Sequence, residues 1–205
     1  MTRWGDSCRE LSGLKIDVPV QSESIPRLEI VEEHVDVSMI TYLEETGFEH
    51  LGTVGELLRS GLPTNCNLQR CGVYAITLPT GFTPCFLTSE EASEKGNVIR
   101  PRQEDYLRQK WVKDVDVVYD GIAGLRSRRT LAERLDDLLR HSSGKTSTRG
   151  PHSGGEILWQ LLGYDDLSIW AIPTDGPPAP KRLETALLRT FKKVKGQLPF
   201  ANRQL

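Results

Sequence analysis

The stretch Cys-Gly-Val-Tyr-Ala-Ile at residues 71–76 is short, largely apolar, and contains β-branched and aromatic side chains. Such residues suit the pleated, half-buried surface of a sheet, so the sequence predicts a strand that runs to Leu78. A second run, Val-Val-Tyr-Asp-Gly-Ile-Ala-Gly at 117–124, predicts a second strand. The third predicted strand, Leu-Ser-Ile-Trp-Ala-Ile at 167–172, stops at a proline. Helical patterns between these runs indicate an α+β fold.

The helix predicted after the second strand has a capping box at its start. In Thr-Leu-Ala-Glu at 130–133, the threonine oxygen can accept from the glutamate amide and the glutamate can reach back. Leucines at 131, 135 and 138 form an apolar stripe along a helix that runs to about His141. Arg134 falls at the edge of that stripe, with His141 almost above it. Such an arginine either contacts a phosphate or covers the core with its aliphatic stem.

Residues 181–195 form the clearest helical pattern in the chain, and Gly196 is placed to end it. Its apolar stripe consists of Leu183, Ala186, Leu187, Phe191 and Val194. Glu184 lies at the border of the stripe in the first turn. There it serves either as a partner of the helix dipole or as a ligand for a hard divalent cation.

The charge of the chain is unevenly distributed. The net charge is −2, which taken alone argues against a protein that binds nucleic acid. Residues 1–70 contain 6 basic and 12 acidic side chains, whereas residues 181–205 contain seven basic side chains and one acidic one. A basic C-terminal face is compatible with phosphate binding, although a solvated helix face gives the same pattern.

Length and composition indicate a cytoplasmic protein with one main domain. The chain has 205 residues, enough for a real core. No apolar run is long enough to cross a bilayer, and the first residues do not form a signal peptide, so we expect no membrane association. The four cysteines have no Cys-x-x-Cys spacing, which argues against zinc and favours reduced thiols.

Read together, five features in order resemble the GIY-YIG nuclease family over roughly residues 70–205. The two signature strands correspond to Gly-Val-Tyr at 72–74 and Tyr-Asp-Gly at 119–121. They are followed by His-Ser-Gly-Gly at 152–155 before Leu-Trp-Gln-Leu, by a late helix with Glu184, and by Leu-Pro-Phe-Ala-Asn at 198–202. The two signature tyrosines are far apart, so residues 79–116 would be an insertion, with Trp111 just before the second strand.

The resemblance implies a role for each matching residue. Tyr74 would orient or deprotonate the attacking water, and Tyr119 would hydrogen-bond that water or the scissile phosphate. Arg134 would neutralise charge in the transition state, because its planar fork fits phosphate oxygens. Glu184 would bind one Mg²⁺ (or Mn²⁺), which acts as a Lewis acid on the leaving oxygen. Asn202 would buttress the site.

The polar residues near these positions complete the predicted site. Many family members have His or Tyr one turn after the arginine, where this chain has Leu138. His152 is assigned to catalysis in its place, and His141 is the other candidate. The predicted nucleic-acid-binding residues are His141, Lys145, Arg149, Lys192, Lys193 and Lys195.

The chain also departs from the family in the second strand. Ile122 stands where many members have a lysine, and Asp120 stands where an aliphatic residue is usual. Successive strand residues point to opposite faces, so Asp120 points away from the face of Tyr119. We expect it to face solvent or the insertion.

The resemblance implies a small three-stranded antiparallel sheet flanked by helices, with residues 1–69 as an N-terminal accessory cap and 70–205 as the nuclease-like domain. The leading hypothesis is a Mg²⁺-dependent endonuclease that acts on DNA. The main rival is a non-catalytic module on the same fold that binds nucleic acid or a partner. A restriction-type role, and an unrelated α/β protein with coincidental motifs, also stay open. Target sequence and oligomeric state do not follow from these residues.

Overall fold

The computed structural model describes residues 38–88, 90–91, 101–124, 129–142, 152–176 and 178–205. Asp36–Leu205 form one compact unit. The described strands are β1 (Glu49–Thr53), β2 (Gly72–Thr77), β3 (Val117–Ala123) and β4 (Ser168–Pro173). The described α-helices are α1 (Met39–Glu45), α2 (Val54–Ser60), α3 (Glu104–Lys110), α4 (Leu131–Ser142), α5 (Gly155–Leu158) and α6 (Ala179–Lys195). Two short 3-10 helices cover Cys66–Gln69 and Tyr164–Asp166.

The strands form one antiparallel sheet in the order β1-β4-β2-β3. The α+β class is confirmed, and the three predicted strands are neighbours in this sheet. The prediction of a three-stranded sheet is wrong, because β1 pairs with the free edge of β4. This strand comes from the segment interpreted as an accessory cap. Its sequence, Glu-His-Leu-Gly-Thr, is polar and half exposed, so it carries no hydrophobic signal of a strand.

One face of the sheet packs against α4 and α5. Tyr74, Ile76 and Tyr119 point to this face and belong to the larger core cluster. The stripe of α4, Leu131, Leu135 and Leu138, is buried in the same cluster. The capping box forms as predicted: Thr130 N–H donates to Glu133 Oε2 over 3.0 Å, and Glu133 N–H donates to Thr130 Oγ1 over 3.3 Å.

The opposite face packs against α1 and α6. Val73 and Ala75 of β2 contact a second cluster that contains Leu187 and Phe191 of α6. Gly196 ends α6 with a φ of 78°, as its position predicted. The predicted apolar stripe of α6 differs slightly from the face that is buried in the structure. Val194 is 70% exposed, whereas Glu184 and Leu188 are buried.

The N-terminal part of the described chain adds β1 to the sheet beside β4 and continues into α2, which packs into the core. Thr53 begins α2 with its own capping box, and Gly61 ends that helix with a φ of 79°. Val54 and Leu57 join the larger core cluster. Among the described residues, every helix is too short or too polar to cross a bilayer.

Candidate active site

Two tyrosine rings meet on the α4 face of the sheet. Tyr74 of β2 lies directly across from Gly121 of β3, and Tyr119 is two residues before that glycine. The ring centroids of Tyr74 and Tyr119 are 6.0 Å apart. A Cβ added at Gly121 would lie 2.4 Å from the Tyr74 hydroxyl and 2.8 Å from the Tyr119 ring. Gly121 therefore leaves the space in which both phenols pack. This close packing explains why the Tyr-Asp-Gly motif has a glycine at this position.

His152 completes this cluster from the segment before α5. Its Nε2 lies 2.6 Å from the hydroxyl oxygen of Tyr74, and its ring centroid is 5.6 Å from that of Tyr119. The next glycines permit this approach: a Cβ at Gly154 would lie 2.6 Å from the Tyr119 ring, and one at Gly155 would lie 2.5 Å from His141 Cβ. The His-Ser-Gly-Gly motif thus locks α5 against the tyrosine pair.

The hydrogen bonds of His152 determine its tautomer. Gly155 N–H donates to His152 Nδ1 over 3.0 Å, and a backbone N–H can only donate. Burial, reinforced by the positive charge of Arg134, holds the pKa of His152 well below its usual value. The neutral ring must therefore carry its proton on Nε2 and donate it to Tyr74. His152 is consequently a hydrogen-bond donor to the phenol and does not deprotonate it.

Both phenols stay protonated near neutral pH. Burial raises the pKa of Tyr74 well above its usual value, and the neighbouring Tyr119 raises it further. Burial likewise raises the pKa of Tyr119, although hydrogen bonds from Ser153 and Tyr74 act in the opposite direction. A buried phenol at such a pKa orients a water or phosphate oxygen by donating its proton, and it is a weak general base.

Arg134 and Glu184 lie close enough to act on both tyrosines. The positive charge of Arg134 lowers the pKa of each phenol, and the negative charge of Glu184 raises it. The charges of the predicted arginine and glutamate thus both act on the tyrosine pair. Arg134 lies on α4, which packs on the face of the tyrosines, and Glu184 lies on α6, which packs on the opposite face.

Arg134 is largely buried beside a carboxylate of its own helix. Its side chain is 21% exposed, and Nη1 lies 3.7 Å from Oδ2 of the fully buried Asp137. Asp137 also pairs with Arg129, which lies just before the helix. Two arginines thus share one buried carboxylate.

Glu184 is buried on the sheet-facing side of α6 and has a cationic partner at its outer edge. Lys181 Nζ donates to Glu184 Oε2 over 2.9 Å, and the side chains are 39% and 12% exposed, respectively. A partly exposed lysine three residues away is a weakly held partner. A divalent cation could replace it.

Asp120 does not face solvent, so that part of the expectation is wrong. The residue is 1% exposed, and neither carboxylate oxygen has a hydrogen-bond partner among the described residues. Burial, reinforced by the negative charge of Glu184, raises the pKa of Asp120 to about 7. The strand alternation was correct, but α6 covers the face to which Asp120 points.

Asn202 holds the backbone at this position. Its Oδ1 accepts from Asp120 N–H over 3.0 Å, and its Nδ2 donates to Asp120 C=O over 2.8 Å. Both bonds are buried, and Asn202 is 5% exposed. The asparagine therefore substitutes for a neighbouring strand at the free edge of β3 and positions Asp120 and Tyr119.

The residues predicted to bind nucleic acid differ in their exposure to solvent. Lys192, Lys193 and Lys195 are exposed on the last turn of α6, where Lys195 Nζ donates to Asp114 C=O over 2.6 Å. His141 is 3% exposed, with its Nδ1 3.5 Å from His152 N. It therefore lies behind His152 in the core. Lys145 and Arg149 lie outside the described residues.

We expect Gly154→Ala to destabilise the protein by about 1–3 kcal/mol, because the new methyl group would overlap the Tyr119 ring. The backbone itself suits alanine, with φ −70° and ψ −44°. The same substitution in a Tyr119→Leu background should cost measurably less. Urea denaturation of the four proteins of this cycle gives the coupling. Equal costs in both backgrounds would mean that the ring is not the obstacle.

Sequence reasoning overlooked two features of this site. Asp120 was expected to face solvent or the insertion and is a buried carboxylate, and the packing role of Gly121 and Gly154 was not recognised. The glycines of the Tyr-Asp-Gly and His-Ser-Gly-Gly motifs were the available signal for close approach. Comparison with protein-family models, curated proteins and solved structures gave no match to this chain.

Proposed function

We propose that this chain is a Mg²⁺-dependent (or Mn²⁺-dependent) endonuclease that hydrolyses phosphodiester bonds in DNA. The observation that supports it most is the buried cluster of Tyr74, Tyr119 and His152, whose phenols are acted on by the charges of Arg134 and Glu184. These side chains provide hydroxyl donors, a guanidinium and a carboxylate. Together they match what phosphoryl transfer needs: an oriented nucleophile, charge neutralisation and a cation site.

In this proposal the tyrosines act as donors. His152 Nε2–H donates to the Tyr74 hydroxyl, and the hydroxyls of Tyr74 and Tyr119 are hydrogen-bonded to each other. These hydrogen bonds hold both phenols in place, and all three groups are uncharged. Their raised pKa values keep both phenols protonated, so the one O–H that is not used between the two rings orients the attacking water or a phosphate oxygen. Arg134 then supplies the positive charge that stabilises the pentacoordinate phosphate.

The carboxylates fit a hard divalent cation. Glu184 is the proposed ligand. Asp120 is a second buried carboxylate, and the negative charge of Glu184 acts on it. When bound, Mg²⁺ supplies Lewis-acid stabilisation of the leaving oxygen. Within the described ranges no group of three or more His, Cys, Asp or Glu side chains is placed to hold a metal. A site with two carboxylates is still sufficient, because Mg²⁺ commonly keeps several of its waters.

A non-catalytic module that binds nucleic acid or a partner is the second candidate, and two observations favour it. Tyr74 is fully buried, and Glu184 already has Lys181 as a partner. In such a module the cluster would only stabilise the sheet edge. The basic end of α6 would then contact phosphates without any reaction.

The test is incubation of the purified protein with supercoiled plasmid, with and without Mg²⁺. Conversion to open-circular or linear DNA that requires Mg²⁺ supports the nuclease. A gel-shift measurement on the same preparation reports binding separately. Binding without cleavage under any tested divalent cation supports the non-catalytic module.

Replacing Lys192, Lys193 and Lys195 with glutamine should weaken DNA binding for every sequence. All three are exposed on one helix end, and we expect contacts to phosphates that do not read bases. The slope of log affinity against log salt should shrink by about one for each lost contact. Fluorescence anisotropy over a salt series measures it.

A matched control removes three exposed arginines from other parts of the surface, Arg59, Arg70 and Arg108, as glutamine variants. This changes the net charge by the same amount. If both triple variants have the same salt slope, net charge and not the end of α6 determines DNA affinity. An unchanged slope in the lysine variant would assign those residues to solvation.

A further inference from the structure

Asp120 is buried in a way that the proposed roles of the other residues do not explain. It is 1% exposed, and both of its carboxylate oxygens are without a hydrogen-bond partner in the described part of the chain. Buried polar groups are normally satisfied, and an unpaired buried carboxylate is costly. An aliphatic residue at this position would avoid that cost. The buried, unpartnered carboxylate therefore indicates a ligand that the protein alone does not provide.

The side chain of Asp120 points to the helix that bears Glu184. Asp120 is paired with Ala75 across β2 and β3, and cross-strand partners point to the same face. Ala75 belongs to the cluster formed with Leu187 and Phe191 of α6. Glu184 lies one turn before Leu187 on the same side of that helix and is itself 9% exposed. Asp120 and Glu184 thus face each other between β3 and α6.

The backbone on both sides of this gap is fixed. Asn202 holds Asp120 through two buried hydrogen bonds of 3.0 and 2.8 Å. On the helix side, Glu184 lies in the first turns of a 17-residue helix, anchored by buried leucines. Two carboxylates held on rigid elements are well suited to bind one ion in a defined geometry.

The chemistry of the two groups identifies the class of ligand. Two carboxylates attract a cation, and oxygen ligands select a hard one such as Mg²⁺ or Mn²⁺. Lys181 is already hydrogen-bonded to Oε2 of Glu184, but it makes no bond to Asp120 among the described contacts. We infer that Asp120 is a second ligand of the divalent cation, bound jointly with Glu184 between β3 and α6. This inference rests on the proposed function for the role of Glu184.

Calorimetric titration with Mn²⁺ alone, without DNA, tests the inference. The parent protein, Asp120→Asn, Glu184→Gln and the control Asp175→Asn are compared in one buffer. We expect Asp120→Asn and Glu184→Gln each to weaken Mn²⁺ binding by at least about tenfold. Asp175, whose side chain is 95% exposed and paired with Arg70, should leave the affinity unchanged.

Thermal denaturation separates a metal ligand from a merely structural residue. Without metal, Asp120→Asn should raise the melting temperature, because it removes an unpartnered buried carboxylate. Saturating Mn²⁺ should raise the melting temperature of the parent but have little effect on this variant. A residue needed only for packing would give the opposite change in the metal-free protein.

The outcomes distinguish this inference from the proposed function. If Asp120→Asn bound Mn²⁺ as tightly as the parent while Glu184→Gln did not, Asp120 would be excluded and the proposed function would stand. If the parent bound no Mn²⁺ and yet cleaved DNA, the joint site would be overturned while the nuclease activity survived. Loss of Mn²⁺ binding in both variants, with normal binding in Asp175→Asn, establishes the two-carboxylate site.

Discussion

Glu184→Gln should reduce Mg²⁺-dependent plasmid cleavage by at least about a hundredfold while the protein stays folded. The amide keeps the shape of the side chain but loses the anion that binds the cation. The structural cost is small, because the lost pair with Lys181 is partly exposed and glutamine can still accept its hydrogen bond. The cleavage rate and the circular-dichroism melting curve are measured on the same sample.

Glu104→Gln is the matched control for this change. Glu104 is also a helix carboxylate paired with a basic residue of its own helix, Arg108, but it lies on the surface of α3. It should leave cleavage unaffected. Should Glu184→Gln keep the parental rate with an unchanged metal requirement, Glu184 would be only a partner of Lys181 and the helix dipole.

Arg134→Lys should slow cleavage by about two orders of magnitude with little effect on stability or DNA affinity. Lysine keeps the charge and the aliphatic stem, so a residue that only covers the core tolerates the change. It lacks the planar fork that contacts two phosphate oxygens at once. The expected loss is that of one preorganised charge-stabilising contact. Asp137 keeps its pair with Arg129, which limits the structural cost.

Single-turnover cleavage at saturating protein measures this effect apart from binding. Arg140→Lys is the control: Arg140 lies on the same helix and pairs with Asp136, but its side chain is 56% exposed. It should cleave at the parental rate. A normal rate for Arg134→Lys would remove this arginine from the chemistry and leave it as a residue that covers the core.

Local patterns predicted most elements correctly because their causes are local. The capping box at Thr130 and the glycine stop at Gly196 each depend on a few adjacent residues, and both occur in the structure. The strands of the two tyrosine motifs were predicted for the same reason, since their β-branched and aromatic residues are buried in the sheet. Arg134 became a site candidate through its place at the edge of the helix stripe and Glu184 through the order of motifs, and the charges of both act on the tyrosines.

The features that were not predicted from the sequence depend on contacts between residues that are distant along the chain. β1 is a strand only because β4 offers it an unpaired edge more than a hundred residues later. His152 bonds to Tyr74 across 78 positions, so its tautomer could not be deduced before the segment was folded.

Sequence alone determined the strands and helices that their own side chains stabilise, and it supplied the candidate residues for the proposed phosphate chemistry. Tertiary structure decided which of those residues meet and which are buried. Asp120 shows the physical reason most clearly. Strand alternation correctly predicts that it points away from Tyr119, but only the packing of α6 on that face removes it from water and places it opposite Glu184. Periodicity determines direction, whereas burial depends on what the rest of the chain places there.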